Sequence, residues 1–555
     1  MNKFVKTGLV ALASVFILSA CGGNSDASND NTASSDSNGN GLAEVQEIAV
    51  SVPASMTTID TTYTTDKNTF TVAQHLYEGL YRLDENSTPV PGLAAEEVEI
   101  SEDGRTYTFT IRNDANWSNG DPITAQDFVY AWTELVDPAA AAPNAYLLDA
   151  VVNGYEIRTG ETDPSELAVE AVSDKVFKVE LVEPLPSFLT LISVVWLAPK
   201  NEAYVEEQGE AYATTAETGI YSGPFVLSNW KQGDETWTLE PNENYYAADE
   251  VHLTKIDFTT IKEEQTGINL YSSDELDLTK VSGQYVAQYQ NDESFVSHND
   301  IANQFLDFNK ELGTPLANAH LRKAITLSIN KDSLVNTVLN DGAVALNGLV
   351  PHELYQHPET GEDFREYSGD YNTYNPEQAQ EEWALAQEEL GDSIEISLLV
   401  AEDTTSTRTA EYVQSQIQEN LEGVTVTINK QPKNSVNQSR SESNYEASIS
   451  GWIAGDNNLG YFFNLYEDGS AYNYGGYNNE EYNQLTAEAK TAYANDPDKQ
   501  FENYQKAEQI LLEEDAAQVP LYQSASNYLI NPNIKGIEFH RYASYFHFRT
   551  AYIAE

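Results

Sequence analysis

TYTFTIRNDANWSNGDPITAQDFVYAWTELVDP, residues 106–138, holds a strand, a turn and a capped helix in that order, and its reading sets the fold class. Residues 106–112 interleave Tyr107, Phe109 and Ile111 with polar side chains, the period of two expected of a strand with one buried face. Asn119-Gly120-Asp121-Pro122 is dense turn chemistry, because asparagine and glycine tolerate left-handed backbone and proline removes a ladder donor. A helix then starts with Thr124 as N-cap, Asp127 three residues later in a capping-box position, and Ile123 placed to staple against Phe128. Pro138 stops it, and Phe128, Trp132 and Leu135 fall on one face, the core side.

Outward from this stretch, strand-like and helix-like segments keep alternating, which predicts α/β layers. Beyond residue 45 no Pro/Gly-rich gap, charge block or internal repeat breaks the chain, so its domains are expected to be interleaved rather than strung in series. The 34 tyrosines and 7 tryptophans imply large cores or cavities lined with amphipathic rings, with Trp117 and Trp132 assigned to the core.

Toward the amino terminus, Lys3 and Lys6 precede an apolar run from about Leu9 to Leu18, too short to cross a bilayer, which reads as a secretion signal over 1–20. Leu18-Ser19-Ala20-Cys21 resembles the lipobox of bacterial lipoproteins, in which the chain is cut before the cysteine and that cysteine is acylated. Cys21 is the sole cysteine of 555 residues, so an anchor is expected there and intramolecular disulfides are excluded. The tract after it, GGNSDASNDNTASSDSNGNG, has almost nothing to bury and is expected to be a disordered tether, with a span of roughly 25 Å over twenty residues; lipidated cysteine and tether together take 21–44.

Removal of Lys3 and Lys6 leaves 27 basic against 88 acidic side chains, a net charge of −61 that excludes nucleic acid as a partner. Two metal patterns are weak. Asp36, Asn38, Asn40, Gly41 and Glu47 have calcium-loop spacing without flanking helices, and Glu47 is expected to begin the strand EIAVSV instead. In HELYQH, His352 and His357 stand about 140° apart on a helix at 100° per residue, which is no zinc face, and Pro358 favours a loop. No G-x-S-x-G, HExxH or glycine-rich phosphate loop is present, so neither enzyme nor cofactor is expected.

HLYEGLYRLDENSTPVPGLAAE (75–96) and NWSNGDPITAQDFVYAW (116–132) closely resemble oligopeptide-binding proteins of ABC importers, the solute-binding protein family 5. The resemblance continues in order through SGPFVLSNW (222–230), DFNKELGTPLANAHLRKAITLSINKDSLV (307–335), GWIAGDNN (451–458) and YGGYNNEEYNQL (474–485), covering nearly everything after residue 45. It implies a two-lobed periplasmic-binding-protein-like clamp with an extra third domain. Lobe one takes 45–88, 201–302 and 525–555, the extra domain 89–200, and lobe two 303–524. It further implies a monomeric, lipid-anchored receptor on the outer face of the cytoplasmic membrane. Such a clamp holds a peptide by its backbone, closes over it and presents it to permease subunits. Rival cargoes for the same fold are a signalling peptide, a dipeptide, nickel, haem or an oligosaccharide; a secreted hydrolase is the remote alternative.

Site residues carry over position by position. The Gly-Trp loop that lines the family's pocket is Gly451-Trp452 here. Relatives place an amino-terminus-binding aspartate three residues after that tryptophan; this chain has Gly455 there and Asp456 next to it. Ile449 stands where some relatives have a carboxylate-binding arginine, which favours longer peptides over a fixed short length. Asp307 matches a pocket glutamate, Tyr472 and Asn473 a loop that reaches the ligand, Asp66 and Lys67 a pocket-rim turn, and Asn144 a ligand-touching tyrosine.

Overall fold

The structure, a computed structural model, describes residues 41–64, 66–310, 313–455, 457–540 and 544–555. The signal, Cys21, the tether through Asn40 and with it the Asp36, Asn38 and Asn40 of the calcium-like pattern lie outside the described residues; the last residues of the expected 21–44 segment are not tether but paired, Leu42 bridging Ala554 and Ala43 donating its N–H to Ile553 O at 2.8 Å. Glu47 begins the strand Glu47–Val52, as expected.

The stretch 106–138 folds as its local chemistry requires. Thr106–Thr110 is a strand and Ala125–Val136 a helix whose N-cap Thr124 donates its backbone N–H to Asp127 Oδ2 at 2.7 Å and its hydroxyl to the same oxygen at 3.1 Å. Burial pushes the Asp127 carboxyl up to about 6. Ile123, Phe128, Trp132 and Leu135 are all buried. The strand stops at Thr110, short of 112, because Ile111 leaves the ladder for an isolated bridge to Ala94. It belongs to an antiparallel sheet ordered Glu99–Ile100, Thr106–Thr110, Val176–Glu180, Val169–Ser173. The helix packs on that sheet over a separate aromatic core that includes Phe109, Trp117, Phe128, Trp132 and Phe177.

A second sheet of eleven strands runs through the rest of the molecule. At one end Glu47–Val52 pairs in parallel with Lys255–Thr260; at the other Ile394–Ala401 pairs in parallel with Val424–Gln431 and Ala447–Ile453. Between them lie two long antiparallel strands, Phe295–Phe308 and Gln518–Ile530. Each half has its own core, one around Val50, Trp237, Phe258 and Phe548, the other around Phe308, Leu398, Val426 and Leu521. The two long strands therefore carry the chain twice between halves. Their register shifts between Asn299/Asn303 on one strand and Ala525/Gln523 on the other, where unpaired residues bend the ribbon. This is an α/β clamp of two lobes with an additional smaller domain.

Ion pairs on a buried lysine join the parts. Lys200 Nζ lies 3.0 Å from Asp60 and 2.5 Å from Glu134 of the 125–136 helix, tying the smaller domain to the first half. HELYQH is irregular rather than helical, with His357 Nε2 3.1 Å from Asp498 Oδ1.

Candidate functional site

The strand Ala447–Ile453 lies against Phe295–Phe308 with Asp307 opposite Ser448, Phe305 opposite Ser450, Gln304 opposite Gly451 and Asn303 opposite Trp452. Gly451 leaves room for the Gln304 amide, which would have to move aside for a Cβ there. Trp452 stands at the sheet's end, its ring packed edge-on at 4.9 Å to Tyr472 and tilted at 5.8 Å to Tyr461. Its Nε1 is buried and has no hydrogen-bond partner among the described residues. Phe305, Asp307, Arg440, Trp452, Tyr466 and Tyr472 wall a narrow crevice, with Tyr474 and Gly475 at its side.

The charges in this crevice are matched. Asp307, 3% exposed, accepts hydrogen bonds from Tyr445 at 2.7 Å, Arg440 Nη2 at 3.3 Å and Tyr466 at 3.4 Å. Arg440 Nη1 donates to Ser450 Oγ at 2.7 Å, and its guanidinium lies over the Tyr474 ring at 5.2 Å. Burial, then the Asp307 charge, raise the Tyr445 and Tyr466 hydroxyls well above the usual phenol range, so both act as neutral donors. Arg440 was missed from sequence. Its signal was available: Val436 and Arg440, four apart, are the two buried positions of the otherwise polar helix Lys433–Ser441.

Of the expected site residues, Gly451, Trp452, Tyr472 and Asp307 come together here. Asn473 shapes the same loop, donating to Glu467 O and Tyr477 O at 3.2 and 2.7 Å and accepting from Tyr477 N at 2.9 Å. Asp456 lies outside the described residues, and its neighbour Asn457 accepts a hydrogen bond from Thr190 of the smaller domain at 3.0 Å. Ile449 is buried in the core of the second half.

The other three gather elsewhere. Asp66 caps the helix Lys67–Leu76, accepting from Thr69 N at 2.9 Å and Thr69 Oγ1 at 2.7 Å. Lys67 sits 3.5 Å from Asp300 and over the Tyr545 ring at 4.2 Å, with Lys280 also over that ring at 5.5 Å. Desolvation lowers the Lys67 pKa, and the Lys280 charge lowers it further against the opposing pull of Asp300. Asp300 falls within the register shift of the long strands and accepts from Ser526 at 3.0 Å, so Lys67 connects the first half to the bend. Asn144 is buried and donates to Thr64 O at 2.8 Å, fixing the turn ahead of Asp66. None of the three lines the Trp452 crevice.

Residues 88–474 match the family model described as bacterial extracellular solute-binding proteins, family 5 Middle. A dipeptide-binding protein of Lactococcus lactis subsp. cremoris is 31% identical over 531 residues, 93% of this chain and 96% of its own length. Among solved structures, Listeria monocytogenes OppA bound to peptide shares 33% identity at a TM-score of 0.76, over 92% of this chain and 100% of that one. The substrate-binding domain of an oligopeptide ABC transporter from Bacillus anthracis str. Ames shares 36% at 0.77, over 93% and 100%. A matched-charge crevice walled by aromatics and a family match over most of the chain agree: the protein belongs to the bacterial extracellular solute-binding proteins of family 5, and its work is binding, not turnover.

Proposed function

We propose that this protein is a lipid-anchored receptor that encloses oligopeptides between its lobes and delivers them to the permease of an ABC importer. The observation that carries the cargo is the likeness to a relative solved with bound peptide; the Trp452 crevice, about 10 Å³ and with its indole donor buried, has aromatic walls that would meet a peptide side chain once it widens. The peptide-bound Listeria relative, overlaid along its full length, supports the same cargo. Closure follows from bending of the two long strands where their register shifts, which supports dividing the lobes near 302/303 and 524/525; a sheet and a core of its own support taking 89–200 as the extra domain. Gly451, Trp452, Tyr472 and Asn473 form lobe two's share of the pocket; Asp66, Lys67 and Asn144 order the facing rim. Cys21 carries the anchor on the outer face of the cytoplasmic membrane, and the receptor acts as a monomer.

The test is native mass spectrometry on a soluble form beginning after Cys21, offered peptides of two to about fifteen residues. Retention of intact peptides of several lengths is expected. Retention of a metal or a sugar alone, or of nothing, overturns the cargo. Asp456 is assigned to the ligand's amino terminus because it is the carboxylate nearest the position that Gly455 leaves empty. Asp456→Ala is therefore expected to weaken free-amino peptides about tenfold, the order of one charge-assisted hydrogen bond, and their N-acetylated counterparts little. Equal losses in isothermal titration remove that assignment.

A further inference from the structure

Two lysines from different elements meet on one ring. Lys67 opens the helix Lys67–Leu76, Lys280 lies on the strand Leu278–Val281, and their ammonium groups stand 4.2 and 5.5 Å from the centre of the Tyr545 ring. In a chain with 29 basic and 88 acidic side chains, two neighbouring cations that repel one another are an anomaly, and the repulsion is felt: the Lys280 charge adds to desolvation in lowering the Lys67 pKa.

These lysines also lack the acceptors that other inward-turned lysines have. Lys175, Lys200, Lys331 and Lys490 each donate to an oxygen at 2.8 Å or less. Lys67 has one ion pair, with Asp300 at 3.5 Å, and Lys280 has none among the described residues. That 3.5 Å is well beyond the roughly 2.7–2.9 Å of a charge-assisted hydrogen bond. The nearby acids are committed elsewhere. Both Asp300 oxygens lie within 3.1 Å of Ser526 Oγ, and Asp66, the other acid beside Tyr545, caps its helix through Thr69 N and Oγ1. The Lys67 side chain is 26% exposed and Lys280 and Tyr545 are half-buried, so a solute can reach them.

The strand pairing places this cluster beside the peptide site. Lys280 stands opposite Tyr528, and Asp300 takes its hydrogen bond from Ser526 on the same strand. Asp300 precedes Asn303, the partner of Trp452, by three residues, and Ile301 O between them accepts from Ala454 N at 2.9 Å. At about 3.3 Å per residue, Asp300 lies within roughly 10 Å of the Trp452 register position, a span of three residues in an extended peptide.

Resting on the oligopeptide reading above, we infer that Lys67 and Lys280 form a carboxylate subsite for the bound peptide, filled by an acidic side chain or by the carboxyl terminus. The guest anion supplies the acceptor that both ammonium groups lack and removes their repulsion. It also admits acidic cargo to a protein whose formal net charge of −59 otherwise repels it.

The experiment is competition titration with a peptide retained by the wild type and free of charged side chains. One glutamate is moved along it position by position, each peptide set against its glutamine counterpart, and the free carboxyl terminus is set against its amide. Glutamate is expected to win by about tenfold at one or two adjacent positions, or the free terminus to win by as much over its amide; the first result assigns the subsite to a side chain, the second to the terminus. Higher ionic strength should compress the ratio. Lys67→Met and Lys280→Met should each cut it about threefold and the double variant bring it near one, while Lys280→Arg keeps it. Because each ratio is read within one protein, a general loss of affinity does not imitate these results. Wild-type ratios below about twofold at every position and at the terminus, or a preference that survives the double variant, overturn the inference while the peptide reading stands. Retention of no peptide at all overturns both.

Discussion

Glu508→Ala is expected to destabilise lobe two by about 3–5 kcal/mol, the cost of stranding a buried charge. Glu508 is fully buried and accepts from Arg365 Nη1 and Nη2 at 2.5 and 2.8 Å, from Ser368 Oγ, and from the backbone N–H groups of Leu349 and Val350 at 2.6 and 3.2 Å. Alanine leaves the Arg365 guanidinium, 2% exposed, with carbonyl partners but no counter-charge, and orphans two amides as well. The site has no slack to repair this. Gly348 packs so tightly on the guanidinium that a Cβ would overlap Arg365 Nη1, so the arginine cannot swing aside toward that wall. Differential scanning calorimetry should show Tm falling by roughly 10 °C for a cooperative unit of lobe size. The paired variant Arg365→Met with Glu508→Met should lose less than Glu508→Ala alone, because it removes both charges together. A loss under about 1 kcal/mol for the single variant means the guanidinium reaches water, and the packing argument fails.

That pair was invisible in the sequence for a physical reason. Arg365 and Glu508 are 143 residues apart, and nothing local marks either as buried. The helix at 125–136 was legible because its determinants are local: a capping box within four residues, a staple and a following proline. Fold class was legible through resemblance, but the order of the eleven strands was not, since strand pairing joins distant segments whose alternation fits several partners. The same divide runs through the site. Trp452 and Gly451 were recognisable from their motif, yet only the register shows that the second faces Gln304, whose amide fills the space beside it. Asp66 carried a local signal of its own, an aspartate three residues before Thr69, which marks an N-cap, and the structure uses it so. Asp307 was singled out by its motif and lines the crevice, but its meaning depends on Arg440, 133 residues away, which sequence reasoning passed over.

That dependence bears on what the crevice, as the proposed subsite, would select. With Asp307 committed to Arg440, Tyr445 and Tyr466, the crevice carries no net charge, and Phe305, Trp452, Tyr472 and Tyr474 present ring faces and edges to whatever enters. The wild type is therefore expected to prefer an apolar or aromatic side chain there. Arg440→Met deletes the cation and leaves a carboxylate, 3% exposed, held by two phenols alone. Stability should fall by about 3–5 kcal/mol, and adding Asp307→Asn should recover most of it, since a neutral amide no longer needs the guanidinium. Binding should change in kind as well as degree. For two peptides differing only by leucine or lysine at the crevice position, Arg440→Met should shift the affinity ratio toward lysine about tenfold, and the double variant should return it, as expected of a charge that is complementary once unpaired. Competition titration reads this ratio directly. Were Asp307 itself the ligand's partner, the wild type would already favour lysine, Asp307→Asn alone would abolish that preference, and Arg440→Met would add little. The two patterns share no outcome, so one set of four proteins and two peptides separates an acid that binds cargo from an acid that holds an arginine in place.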